Sequence, residues 1–332
     1  MTERYPISIS FDFYPSRLLN IPISTFLTDY NIAFKACKET NSYFDIDSGC
    51  GCFIPGVICM DFGGKLEFSE WNLPKPVRRP IKTAADIENL ELPDVERTFS
   101  YRYNRGLFDL CAQDGQTPGI YISSIMERTA HLTGLQELLR LMRRSPEAAH
   151  MLMEKLEEYT FREVEHYYKI YPNSDFWVAS AYSIEAQDLI SPKDFYAFCA
   201  PYIVSLHRRM RELGISNFSE GLCGNHTRTL SFWKEDLNLP KGTGISVDSS
   251  MDFSSVSEYF GEDFMLAGSV SHDTLQYGNG EDVYKEAVGY IEKFHDRKGG
   301  FVLSPDSGLP YTTPECNIFA LLKAAEDCLY LK

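Results

Sequence analysis

From Gly119 to its C-terminal end the chain alternates short apolar runs with longer stretches of helical pattern, and no other feature limits the fold as tightly. The runs lie at 120–122, 176–179, 215–218, 243–247, 264–267 and 300–303. Helical patterns occupy 135–141, 146–168, 192–213, 227–235, 254–260, 283–294 and 314–331 between and after them. A repeated strand-then-helix unit builds a parallel sheet, because the chain must cross back over one face before laying the next strand in the same direction. This many units in one chain close the sheet on itself, so the expected fold is α/β, a (β/α)8 TIM barrel.

Upstream, Ile7-Ser8-Ile9-Ser10-Phe11-Asp12 alternates apolar and polar side chains as a strand does, and ends in a carboxylate. Residues 15–38 read as helix, 43–47 as a second strand, and 53–68 as β-rich. Residues 71–82, with Pro74, Pro76 and Pro80, read as a loop that ends at Thr83, the N-cap of a helix over 84–89. No internal repeat, low-complexity tract or linker interrupts the chain. One barrel domain is therefore expected over 1–332, with an N-terminal extension and a β-rich excursion at about 48–95.

A net charge of -15 would repel nucleic acid and anionic membranes alike, which leaves small molecules or a basic partner. With 44% hydrophobic residues and 14% aromatic, 332 residues are enough to bury a large core. The nine cysteines are scattered, with only Cys50 and Cys52 close together, as expected of reduced thiols in a cytoplasmic protein rather than a disulfide framework. The start has no long apolar run, so no signal peptide is expected, and no stretch reaches the ~18 apolar residues of a membrane span.

The densest chemistry lies at Ser219-Glu220-Gly221-Leu222-Cys223-Gly224-Asn225-His226, a carboxylate, a thiol and an imidazole beside a glycine turn just after the strand at 215–218. Enzymes of α/β type carry their chemistry at the carboxyl ends of strands. Glu220 is a candidate base or metal ligand, with helix capping as the ordinary alternative. Cys223 is a candidate ligand, although most free thiols are simply buried. His226 would sit in the first turn of the next helix, as a ligand or a cap. His272 follows the strand end at Gly268-Ser269-Val270, where imidazole suits metal binding and proton transfer. Asp12 and Glu185 end or follow strands and are catalytic candidates, as are Tyr182 and Glu127, with surface or capping roles as the alternative. Cys50-Gly51-Cys52 is spaced too closely for a zinc pair and reads as a turn. Phe11, Tyr121 and Trp177 near strand ends would line a pocket or fill the core.

Several segments resemble the uroporphyrinogen decarboxylase superfamily, which holds the decarboxylase of haem synthesis and the corrinoid-linked methyltransferases. Asp188-Leu189-Ile190-Ser191-Pro192-Lys193-Asp194-Phe195 resembles the segment that leads into its long helix, and Cys223-Gly224-Asn225 the end of its His-x-Cys-Gly turn. Leu266-Ala267-Gly268-Ser269-Val270 is similar to its Gly-Asn strand end, and 300–317 to its last strand and following helix. The arginine-rich motif that holds the acidic side chains of the porphyrin has no counterpart near 6–17. Gly221 and Ser307 stand where the zinc-binding methyltransferases carry a histidine and a second cysteine, though Asp306 and Ser307 still belong to the matched turn. The resemblance implies a corrinoid-dependent methyltransferase that moves a methyl group between a small donor, such as an aryl methyl ether, and a separate cobalamin-binding protein. It implies a zinc held by an altered set drawn from Glu220, Cys223, His226 and His272. The alternatives are a decarboxylase in which Asp12 or Asp47 stabilises a cationic pyrrole-like intermediate, and a non-catalytic barrel that binds a tetrapyrrole or corrinoid.

Overall fold

The computed structural model describes residues 3–46, 48–51, 53–172 and 175–331. A hairpin pairs β1 (Lys65–Glu67) antiparallel to β2 (Lys75–Arg78). The main sheet is six-stranded and runs in strict sequence order: β3 (Gly119–Ser123), β4 (Trp177–Tyr182), β5 (Asn217–Leu222), β6 (Gly244–Val247), β7 (Met265–Val270) and β8 (Phe301–Pro305). All five neighbouring pairs are parallel, with helices between successive strands. This is the (β/α)8 barrel that the alternation predicts.

The N-terminal segment takes the first barrel position next to β8, though as a single bridge between Ile7 and Leu303 rather than a full strand. The Ser8 amide donates to Leu303 O and the Leu303 amide to Pro6 O, both at 2.9 Å. The strand expected at 43–47 is corrected. The helix Tyr30–Phe44, capped by the Asp29 carboxylate, runs through Tyr43 and Phe44 and stops at Asp45, which turns left-handed at φ 50°. Tyr43 and Phe44 are spent on helix packing, Phe44 stacking on Phe11 at 5.6 Å and Tyr43 meeting Phe319 at 5.8 Å. Asp47 lies outside the described residues, as does Cys52 of the Cys-Gly-Cys turn. Between 48 and 95 the only strands among the described residues are β1 and β2; the expected β-rich stretch otherwise holds the helices Val57–Asp61 and Ala84–Glu88, the latter closed by a Thr83–Asp86 capping box. No helix among the described residues is long and apolar enough to cross a membrane.

Side chains alternate faces along a strand. The faces turned to the helices carry Val178, Phe218, Leu222, Ile245, Val247 and Leu266, all buried. The faces turned inward carry Ala179 and Ala181 on β4, Ser219 and Gly221 on β5, Ser246 on β6 and Ala267 on β7. A barrel of this size is normally filled by layers of branched side chains. Here alanine, serine and glycine stop short of the axis and leave the interior hollow.

Neighbouring residues on β5 should therefore respond oppositely to truncation. Phe218→Ala should cost about 3–5 kcal/mol, whereas Ser219→Ala should stay within about 0.5 kcal/mol, both read from urea unfolding midpoints. Equal costs would contradict the hollow interior.

Candidate active site

The hollow is a cavity of about 950 Å³ that runs from the carboxyl ends of the strands along the gap between the N-terminal segment and β3. Cys223, one residue beyond β5, reaches it by the same alternation that turns Ser219 and Gly221 inward. Burial pushes the Cys223 thiol up to about 12, with Asp248 and Glu127 adding repulsion, so it is a neutral thiol at physiological pH. Tyr121 on β3 is 37% exposed, lines the cavity and meets the Phe53 ring edge-on at 5.2 Å. Burial, with the Glu127 carboxylate adding repulsion, raises its hydroxyl well above the usual phenol range.

Two carboxyls, Asp306 and Asp12, line the cavity. Asp306, one residue beyond β8, is 2% exposed and accepts hydrogen bonds from Ser249 Oγ at 2.5 Å and the His272 amide at 3.2 Å. His272 Nδ1 lies 3.1 Å from the same carboxylate, which gives a histidine–aspartate pair with the half-exposed imidazole at the rim. Asp12 accepts from Ser10 Oγ at 2.7 Å, and burial raises its pKa. Its Oδ2 lies 1.8 Å from where a Cβ at Gly308 would stand, so only glycine leaves room for it there.

Glu220 and Tyr182, both expected at the site, are not in the cavity. Glu220 shares its face of β5 with Phe218 and Leu222, and so points away from the barrel axis into the helix layer. There it is fully buried, taking a hydrogen bond from Tyr182 Oη at 2.9 Å and facing His207 Nε2 at 3.0 Å. His207 Nδ1 contacts the Ile203 carbonyl at 2.8 Å and must carry a proton. The Nε2–Glu220 contact therefore holds a proton of its own, as an imidazolium–carboxylate or a neutral pair. His226 is also buried, its Nε2 donating to the carbonyls of Tyr182 at 2.9 Å and Cys223 at 3.2 Å, and burial lowers its pKa. It pins the β5 turn and leaves the cavity to others. Glu185, 1% exposed, sits behind the mouth beside Ser124; burial pushes its carboxyl up to about 8.

Three features escaped sequence reasoning. Asp61 ends the helix Val57–Asp61 and lines the cavity; its Oδ1 accepts the Phe99 and Ser100 amides, while Oδ2 is buried without a partner, and burial raises it to about 6. Arg128 lines the same wall in a buried ion pair with Glu163. Cys50 is pulled down to about 7, the Cys37 thiol donating to its sulfur and Gln116 Nε2 doing so at 3.5 Å. The sequence singles out neither Asp61 nor Arg128 and marks Cys50 only as part of a turn; tertiary packing brings all three to the cavity.

The residues expected to hold zinc do not fit it. Zinc needs about four donors converging at about 2 Å, yet Glu220 faces away from the cavity, His226 bonds two carbonyls and His272 bonds Asp306. Among the described residues no three His, Cys, Asp or Glu side chains form a group able to hold a metal.

Residues 3–328 match the uroporphyrinogen decarboxylase (URO-D) family, and the chain belongs to it. Relatives named uroporphyrinogen decarboxylase include that of Vibrio campbellii, 21% identical over 75% of this chain and 70% of its own, and that of Aliivibrio fischeri, 22% identical over 79% and 73%. Among solved structures, a methyltransferase from Methanosarcina mazei superposes with a TM-score of 0.82 at 16% identity, covering 99% of this chain and 95% of that one.

Two outcomes follow from this geometry. Glu185 and Asp61 hold protons in the folded chain up to about 8 and about 6, against ordinary values of 4.5 and 3.8. The folded state thus binds more protons than the unfolded state, and stability should fall as pH rises from about 4 to 8. Glu185→Gln should flatten the upper part of that slope in urea titrations, and an unchanged slope would contradict its burial as an acid. Elemental analysis should find well below one zinc per chain, and a stoichiometric zinc lost in Cys223→Ser would overturn the ligand geometry described here.

Proposed function

We propose that this chain is a methyltransferase that passes a methyl group between a small donor held in the barrel and a corrinoid carried by a separate protein. The observation that carries this reading is the charge of the cavity. Among the described residues its permanent cations are Lys38 and Arg128, and each is already paired, Lys38 with Asp114 at 2.7 Å and Arg128 with Glu163. Among the described residues Asp12, Asp61 and Asp306 line the same walls without a lysine or arginine ion pair. A porphyrinogen carrying many carboxylates would meet these acids with no free guanidinium to receive it, and each unpaired buried charge would cost several kcal/mol. Decarboxylation of such a substrate is therefore the weaker reading, although the curated relatives bear that name. The structural likeness to a methyltransferase agrees with the preferred one.

In this reading the chain's own work is binding and orientation. Tyr121 and Phe53 form one wall, Cys223 and Asp306 flank the mouth, and the small inward side chains leave room for the donor. Alignment of the methyl group toward the mouth, where the partner's corrinoid would approach, is the main source of rate, and misplacing it by about 1 Å costs on the order of 100-fold. The test is methylation of free cob(I)alamin, followed by its absorption spectrum, with a panel of methyl donors. At least one donor should react, and Cys223→Leu, which narrows the mouth, should slow that reaction by roughly 100-fold. Release of carbon dioxide from uroporphyrinogen, with no donor methylating cob(I)alamin, would sink the proposal.

A further inference from the structure

We propose that the donor is an onium compound, a methylated ammonium or sulfonium cation, held with its charged head against the Asp12 carboxylate and the rings of Tyr121 and Phe53. The assignment of a methyl donor rests on the methyltransferase reading, while the binding of a cation rests on the cavity alone.

Three independent features point to a cation. Tyr121 and Phe53 meet edge-on at 5.2 Å, and both rings line the cavity as two adjoining aromatic surfaces. Aromatic faces attract cations, most strongly where water is excluded. Asp12 lines the same cavity as both rings, and Gly308 keeps the space its Oδ2 occupies free of a side chain. Deeper along the same cavity, Asp61 Oδ2 is a buried acceptor with no donor to satisfy it. Such an atom normally finds a partner, and a positive ligand in this cavity would offset its field.

The chemistry agrees with the donor groups present. When an ether gives up a methyl group its oxygen leaves as an alkoxide or phenoxide, which needs a proton or a Lewis acid. An onium donor needs neither. The bond between the methyl carbon and nitrogen or sulfur breaks with its electron pair staying on the heteroatom, which leaves as a neutral amine or thioether. The new bond to the methyl carbon takes its electron pair from the cobalt(I) of the partner's corrinoid. No proton moves, and the cavity does not need the zinc that its residues cannot hold.

The test compares choline with 3,3-dimethylbutan-1-ol, in which carbon replaces the charged nitrogen, by titration calorimetry of the full chain. Choline should bind at least about 10-fold tighter, a ratio within reach of a desolvated cation–aromatic contact. The ratio should fall toward one in Asp12→Asn, a side chain of the same size that tolerates the left-handed backbone of that residue, whose φ is 44°, and should shrink in Asp61→Asn. Equal or tighter binding of the neutral alcohol, or no binding of either, overturns the proposal without recourse to a variant. Cob(I)alamin methylation then separates the two claims. Transfer from methoxybenzene but from no onium compound removes the onium donor and keeps the methyltransferase. Choline-selective binding with no transfer from any donor keeps the cation site and removes the methyltransferase.

Discussion

The period of two along a β-strand, combined with the size of the residues placed on it, governs this molecule. On β4 to β7 the axis-facing positions are mostly alanine, serine or glycine, whereas the helix-facing ones include Val178, Phe218, Leu222, Ile245, Val247 and Leu266. The large ones pack under the helices and hold the barrel together. The small ones face the axis and keep it open. Where a barrel of this kind would normally have a filled core, this one has a cavity of about 950 Å³, and everything proposed about its chemistry depends on that exchange of packing for space.

An open, partly dry interior sets the terms for charge. Burial penalises every ion, so acids around the cavity are pushed toward their neutral forms: Asp12 and Asp61 among the carboxyls, Cys223 among the thiols, Tyr121 among the phenols. Among the described residues, arginine, which would reverse this, enters the cavity only as Arg128, and Glu163 neutralises it. The result is a pocket that favours neutral or positive ligands.

The fold was legible because it rests on local pattern summed over many segments. The alternation from Gly119 onward recovered the six strands of the sheet and their order, since a parallel unit has essentially one way to be wound. The second barrel position failed for a local reason: Tyr43 and Phe44 suit a strand or a helix equally, and their contacts with Phe11 and Phe319 decided for the helix. Asp12 and Cys223 line the cavity, as their places at or just beyond strand-like runs suggest. Glu220 was misplaced although its parity was visible, since it shares a face with Phe218 and Leu222, both buried under the helices. Glu185 was found as an acid but stands behind the cavity wall rather than on it.

By itself, then, the sequence determined the barrel, the family and the negative character of the chain, because period, order and net charge are properties of the chain as written. Only the tertiary structure decided which acids meet. Asp12 and Asp306 come to one cavity because the N-terminal segment lies beside β8, and Asp61 and Arg128 arrive from helices outside the sheet. His226, a neighbour of Cys223 in sequence, bonds its backbone carbonyl instead of entering the cavity, and Glu220 is turned into the helix layer. Long-range packing sets these distances, and a residue's immediate neighbours along the chain carry no record of it.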